Sequence, residues 1–185
     1  MENDTVIRFT GIGGQGILFA GKMLAETAVE AGEHPCFAPS YGAEKRGGPS
    51  ECTVILSRGE LPCPCVTKSR AAAVMNEASL AREEQRLEKN GVLVVNSSTC
   101  GEVKPSRPDI SLFLVPASDL AQDLGNDRVA NVVMVGALVE LMELFDPERL
   151  TRGLEKVLAG KPNLLPVNLK AVESGREFAR KLKTR

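Results

Sequence analysis

Apolar residues fall along this chain in short runs separated by longer one-sided stripes. Residues 6–10 form an apolar run that leads straight into glycines. In residues 17–31 the apolar side chains occupy 17, 18, 20, 24, 25 and 28, one broad helical face. Gly32 stands where a helix C′ residue belongs. Residues 34–38 and the β-branched run 52–56 read as strands, the second closed by a turn around Gly59. Between them, residues 39–50 are polar, glycine-rich and carry both charges, the make-up of a long functional loop. Residues 71–75 favour helix by alanine content and a buried strand by position. Residues 77–89 predict a charged amphipathic helix ended by Asn90 and Gly91. Buried strands follow at 92–95 and 110–115, then helices at 119–124, 129–144, 147–158 and 166–182. Pro147 and Pro166 occupy first-turn positions of the last two.

Strands alternating with helices predict the α/β class. The expected architecture is one Rossmann-like domain over residues 1–185, with a mostly parallel sheet, helices on both faces and a helical C-terminal third. Nothing resembling a linker or repeat divides it.

Charge and composition then narrow the function. Lys and Arg total 23 against 24 Asp and Glu, so no basic excess marks a nucleic-acid binder. The polar, acidic N-terminus lacks the basic and apolar regions of a secretory signal. The stretch 129–145 contains Asn131, Glu140 and Glu143 and is too short to span a bilayer. A cytoplasmic protein away from the membrane is expected, its five cysteines reduced. A single His excludes any His-pair metal site within the chain. Cys63 and Cys65 form a C-x-C pair between prolines 62 and 64, not the C-x2-C of zinc or iron-sulfur sites, and read as a rigid loop. No metal site and no catalytic residue is therefore assigned. Asn131 reads as a helix N-cap, and Ser97, Ser98 and Thr99 as a possible anion contact at the end of a strand.

Two segments carry the chemistry that remains. Gly11, Gly13 and Gly16, with Gly14 and Gln15 between, satisfy G-x-G-x-x-G after a strand and before a helix. Such glycines let backbone N–H groups approach a phosphate at a helix N-terminus. A dinucleotide site also needs an acid at the end of the second strand to hold the ribose. That strand ends Cys36, Phe37, Ala38, Pro39, Ser40, without a carboxylate. The loop reads as a phosphate or anion site, or as a tight turn packed on a partner. An overlapping P-loop-like run reaches Gly21 and Lys22 but places Met23 where Ser or Thr would bind magnesium, which argues against an NTPase. The second segment holds Tyr41, Gly42, Glu44, Arg46, Gly47 and Gly48. It is either a solvated loop or a shaped one whose Arg46 binds an anion or a partner carboxylate.

Together, G-I-G-G-Q-G at 11–16 and P-S-Y-G-A-E-x-R-G-G at 39–48 resemble the gamma subunit of 2-oxoacid:ferredoxin oxidoreductases. That subunit also occurs as a domain of single-chain pyruvate:ferredoxin oxidoreductases. The similarity continues through V-L-V-V-N-S at 92–97, through Asn131, Met134 and Gly136, and through Lys161, Asn168, Ala171 and Gly175. One departure is Ala71-Ala72, where family members often carry Asp.

The resemblance implies an enzyme complex that decarboxylates a 2-oxoacid with coenzyme A, yielding acyl-CoA and carbon dioxide and reducing ferredoxin. Thiamine diphosphate and Mg would be held by alpha and beta subunits, and iron-sulfur clusters by beta and a ferredoxin-like delta subunit. The gamma chain would hold none of these. It would act as a scaffold and gate over the active-site entrance, touching coenzyme A, and be inactive alone. On this resemblance Gly11, Gly13, Gly14, Gln15, Gly16, Tyr41, Gly42, Glu44, Arg46, Gly47 and Gly48 become cofactor-binding candidates. 2-Oxoglutarate is the favoured substrate, with pyruvate and branched-chain 2-oxoacids next. Pairing of the isolated chain into a homodimer is a further expectation. The competing reading is a stand-alone nucleotide-binding Rossmann-like protein.

Overall fold

The computed structural model describes residues 4–41, 47–59 and 62–184. In chain order the elements begin β1 (Thr5–Ile12), α1 (Ile17–Glu30), β2 (His34–Tyr41), β3 (Pro49–Ser57) and β4 (Ser69–Val74). A 3-10 turn (Glu77–Ser79) leads into α2 (Leu80–Arg86), followed by β5 (Leu87–Asn96), α3 (Ser97–Cys100), β6 (Ser111–Val115) and α4 (Ala117–Asp123). A second 3-10 turn (Asp127–Val129) precedes α5 (Ala130–Met142) and α6 (Pro147–Val157), and a third (Pro162–Leu164) precedes α7 (Leu165–Lys183). No described helix is long and apolar enough to cross a membrane.

The six strands lie in the order β2-β3-β1-β4-β5-β6. The β1–β4, β4–β5 and β5–β6 pairs are parallel, while β3 runs antiparallel to both of its neighbours. Five strands therefore point one way and β3 reverses. The reversal follows from the connection: only seven residues, 42–48, separate β2 from β3, too few for the crossover that parallel strands need.

Much of the loop expected over 39–50 is strand, with β2 running on to Tyr41 and β3 starting at Pro49. Pro39 looks like a breaker, but β2 is an edge strand, and an edge strand tolerates a residue with no N–H. The helix expected over 77–89 is also shorter, because the chain is already in β5 at Leu87. Leu87 is 1% exposed, so burying it against the sheet outweighs the helical charge pattern. Asn90, at φ 60, then takes a left-handed kink within β5. Residues 71–75 settle as the central strand β4, with Ala71, Ala72 and Ala73 fully buried. Tertiary burial overrides the helix propensity of alanine there.

The two faces of the sheet are covered unequally. On the first, α1 and α5 lie over Ile7, Phe9, Val54, Ala73 and Val94, with α6 packed on α1 and α7 on α5. The α5–α7 crossing is close: a Cβ on Gly136 would strike the Val172 carbonyl, and one on Gly175 the Val133 carbonyl. Only glycine permits this approach, which gives a packing reason for two residues of the family pattern. The second face has a smaller apolar core of Ala72, Val74, Leu87, Leu93 and Val95, with Leu80 of α2, Val103, Ile110, Leu112 and Leu114 packed against it. Toward the glycine-loop end of β1 and β3 that face turns polar, with Arg8 and Thr10 buried alongside Glu83 of α2.

Candidate functional site

All the parallel strands end at one edge of the sheet, and β1 ends there in the glycine loop. Gly14 (φ 102) and Gly16 (φ 73) adopt left-handed backbone that other residues resist. Gly16 has a second constraint, since a Cβ there would lie 2.9 Å from Cγ of Asn131. Asn131 is buried in the first turn of α5 and donates from Nδ2 to the Gly16 carbonyl at 2.9 Å. It is thus a brace for the glycine loop and not the N-cap expected from sequence. Its Oδ1 is buried without a partner among the described residues.

Gln15 folds back on its own loop. Its Oε1 accepts from the Ile12 N–H at 2.9 Å, and its Nε2 donates to the Met75 carbonyl at 3.2 Å, tying the loop to the end of β4. The Gly13 N–H donates to the Gly48 carbonyl at 2.8 Å, and a Cβ on Gly13 would lie 3.5 Å from the Gly47 nitrogen. The two glycine segments, far apart in the chain, therefore meet as one surface. The Gln15 N–H is also engaged, by the Ile12 carbonyl at 3.1 Å. With the N–H groups of Ile12, Gly13 and Gln15 bonded internally, the loop is not shaped as an open pyrophosphate cradle. The first turn of α1 remains as the anion-attracting element. No described side chain caps it and no acid stands in it.

Beside that turn opens a cleft of about 430 Å³, with Phe19 and Leu158 as apolar walls and Arg128, Asn131 and Asn168 as polar ones. Asn168 donates to the Leu164 carbonyl at 2.7 Å. A slightly larger hollow, about 470 Å³, opens between Thr5, Leu56 and Phe145 and touches none of the glycine-loop residues. Ligands of open α/β sheets gather outside the carboxyl ends of the strands, so the smaller cleft is the better candidate.

The sequence candidates distribute as follows. Gly11 is buried; Gly13 and Gly14 are exposed; Gln15 and Gly16 are half-buried. Tyr41 closes β2 opposite Ser50. Gly47 and Gly48 complete the contact with Gly13. Gly42, Glu44 and Arg46 lie outside the described residues. Asn131 and Arg128 were not legible as part of this edge, because only folding carries them across the chain to Gly16. Thr99 donates to the Met75 carbonyl at 2.8 Å, and Ser98 Oγ accepts from the Asp119 N–H at 3.2 Å. The Thr99 hydroxyl ties α3 to the end of β4 and the Ser98 hydroxyl ties it to α4, so both are engaged within the fold.

A carboxylate does reach the level of the glycine loop, from the reversed strand. Glu51 of β3 sits opposite Thr10. It meets Arg82 at 2.8 Å and Arg86 at 2.9 Å. Glu83, fully buried, bonds the same two arginines at 2.9 and 3.3 Å. Burial pulls the Arg8 guanidinium below its usual range, opposed by the charges of Glu83 and Glu51. Glu51 is thus held in an ion cluster and not presented to a ribose. Burial pushes the Cys52 thiol up to about 12 and the Cys100 thiol up as well, so neither serves as a nucleophile. Among the described residues no group of three or more His, Cys, Asp or Glu could hold a metal.

A reversed hairpin joined to a glycine loop at the carboxyl edge defines a Rossmann-like α/β domain whose second strand lacks the acid of a dinucleotide site. The chain belongs to the pyruvate ferredoxin/flavodoxin oxidoreductase family, whose family model matches residues 6–178. It is similar to ketoisovalerate oxidoreductase subunit VorA of Methanothermobacter thermautotrophicus, 32% identical over 175 residues. That match covers 94% of this chain and 36% of the relative, so the chain spans little more than a third of that protein's length. The 2-oxoglutarate synthase subunit KorC of the same organism is 31% identical over 180 residues, covering 93% of each chain. Among solved structures, the gamma subunit of a keto/oxoacid ferredoxin oxidoreductase from Geobacter sulfurreducens superposes with a TM-score of 0.80 at 29% identity, covering 96% of this chain and 99% of that one. The 2-oxoglutarate:ferredoxin oxidoreductase of Magnetococcus marinus shares the fold, with a TM-score of 0.87 at 23% identity over 98% of this chain and 32% of that one.

Proposed function

We propose that this chain is the gamma-type component of a cytoplasmic, thiamine-dependent 2-oxoacid:ferredoxin oxidoreductase complex. The observation that carries the reading is the Gly13–Gly48 contact, which fuses both family motifs into one surface beside the start of α1, which no described side chain caps. Thiamine diphosphate, with Mg, would supply the decarboxylation chemistry from alpha and beta subunits. Iron-sulfur clusters in beta and delta would carry electrons to ferredoxin.

This chain's own residues bind and orient. Coenzyme A offers phosphates and an aromatic base. The α1 N-terminus and Arg128 match the phosphates, and the Phe19–Leu158 walls with the Asn131 and Asn168 amides match the base. Arg46, in the segment between the motif glycines, provides a further cation for the phosphates or for a partner carboxylate. 2-Oxoglutarate is the preferred substrate in this reading, supported by relatives named for that activity that match this chain nearly end to end. Pyruvate and branched-chain 2-oxoacids come next.

Reconstitution with alpha, beta and delta chains tests the proposal. Acyl-CoA formation with a low-potential acceptor should require this chain. Arg46→Ala should raise the coenzyme A Michaelis constant about tenfold, equivalent to ~1.4 kcal/mol, or weaken assembly. Unchanged values for both would sink the Arg46 role. Tight binding of NAD or ATP by the chain alone would favour a free-standing nucleotide-binding protein.

A further inference from the structure

Between β3 and β4 the chain carries a pair of thiols that the edge site leaves unused. Cys63 and Cys65 are both exposed and free. Both line a cleft of about 320 Å³ that also holds Asp4, Lys68 and Glu88. The backbone that presents them is anchored. The Arg8 guanidinium, 4% exposed, donates to the Val66 carbonyl at 3.0 Å and to the Thr67 carbonyl at 3.3 Å. The Val66 N–H donates to the Pro64 carbonyl at 3.0 Å, making a tight turn at Cys65. Pro62 and Pro64 fix their own φ angles. The remaining sulfurs are less available: Cys52 and Cys100 are buried, and Cys36 is half-buried on β2.

We propose that Cys63 and Cys65 form a thiol–disulfide exchange site whose substrate class is a small, low-molecular-weight disulfide. Two residues apart, their Cα atoms stand at most about 7 Å from each other. A disulfide needs roughly 4.4–6.8 Å, so a modest bend closes the bridge. The ring is small and the proline stiffens it, which makes the oxidised form strained and readily reduced.

The exchange balances in two displacements. One thiolate attacks the small disulfide, forming a mixed disulfide and releasing one thiolate of the substrate. The second cysteine thiolate then attacks the bound cysteine sulfur, closing the Cys63–Cys65 bond and releasing the other half. The two protein sulfurs are oxidised, the substrate disulfide is reduced, and the two thiol protons pass to the released thiolates.

The test equilibrates the full chain in glutathione buffers of rising oxidised fraction, then alkylates and digests with trypsin. The expected product is the peptide spanning residues 59–68, losing both alkylation sites together and lighter by two hydrogens. In Cys63→Ser and Cys65→Ser the remaining thiol should instead carry one glutathione. The proposal is overturned if the parent peptide collects glutathione adducts as the single variants do. It is equally overturned if Cys63 or Cys65 bridges to another cysteine, or if both stay alkylatable at a poise that modifies the single variants.

Discussion

On one face of the sheet, Ile7, Phe9 and Val54 pack beneath α1 and α5; on the other, Arg8, Thr10 and Glu51 rise from the same two strands toward α2. Both faces are buried along β1, but by different physics. The apolar face stabilises by removing carbon from water, at roughly 25 cal/mol per Å². It is non-directional, and its geometry comes from shape, above all the glycine notches at the α5–α7 crossing. On the polar face, dehydrating Arg8 and Glu83 offsets most of what their pairing returns. What it contributes is direction. Glu51 lies just past the hairpin glycines, and Arg82 and Arg86 fix it against α2. One face sets how stable the domain is, and the other sets where the hairpin base stands beside the glycine loop.

The largest effect is expected on the apolar face. Gly175→Val drives a side chain into the Val133 carbonyl and should cost about 3 kcal/mol or more in urea unfolding. Gly160→Ala is its control, with no atom within 4 Å of the new Cβ, and should be near neutral. Equal costs for the two would remove the notch argument. On the polar face, Glu83→Ala takes the fully buried carboxylate from Arg82 and Arg86. The expected loss is about 2 kcal/mol, and a loss under about 0.5 kcal/mol would show the cluster to be energetically idle.

The smallest effect is a pH dependence from the far side of the apolar face. Burial would raise the Glu140 carboxyl, but bonds and charges from Arg180 and Arg176 win and hold it below its usual 4.5. A depressed acid contributes stability above its unfolded value and loses it as pH falls through the folded one. The unfolding free energy from urea titration should therefore drop once pH passes below 4.5, by less than about 1 kcal/mol given the exposure of Arg180. Glu140→Gln should flatten that part of the profile, and an unchanged profile would refute the assignment.

Periodicity made the long helices and the β1–glycine–α1 unit legible, because each rests on local pattern. It failed where partners decide. Pro39 is tolerated since β2 is an edge, and Leu87 leaves its helix since the second-face core accepts it. The candidate edge was half legible. The glycines announced themselves, but their union through Gly13 and Gly48, and the support from Asn131, depend on contacts far along the chain that no short motif encodes.

The reversed strand has one more consequence, for cofactor choice. In a dinucleotide fold the strand bearing the ribose acid lies directly beside the glycine strand. Here β3 intervenes, so the tip of β2 is two strand spacings from β1, roughly 10 Å. An aspartate placed at Ser40 would stand too far from the glycine loop to share a nucleotide with it. The order of the strands thus denies the tip of β2 the ribose-holding place it has in a dinucleotide fold, whatever residue stands there.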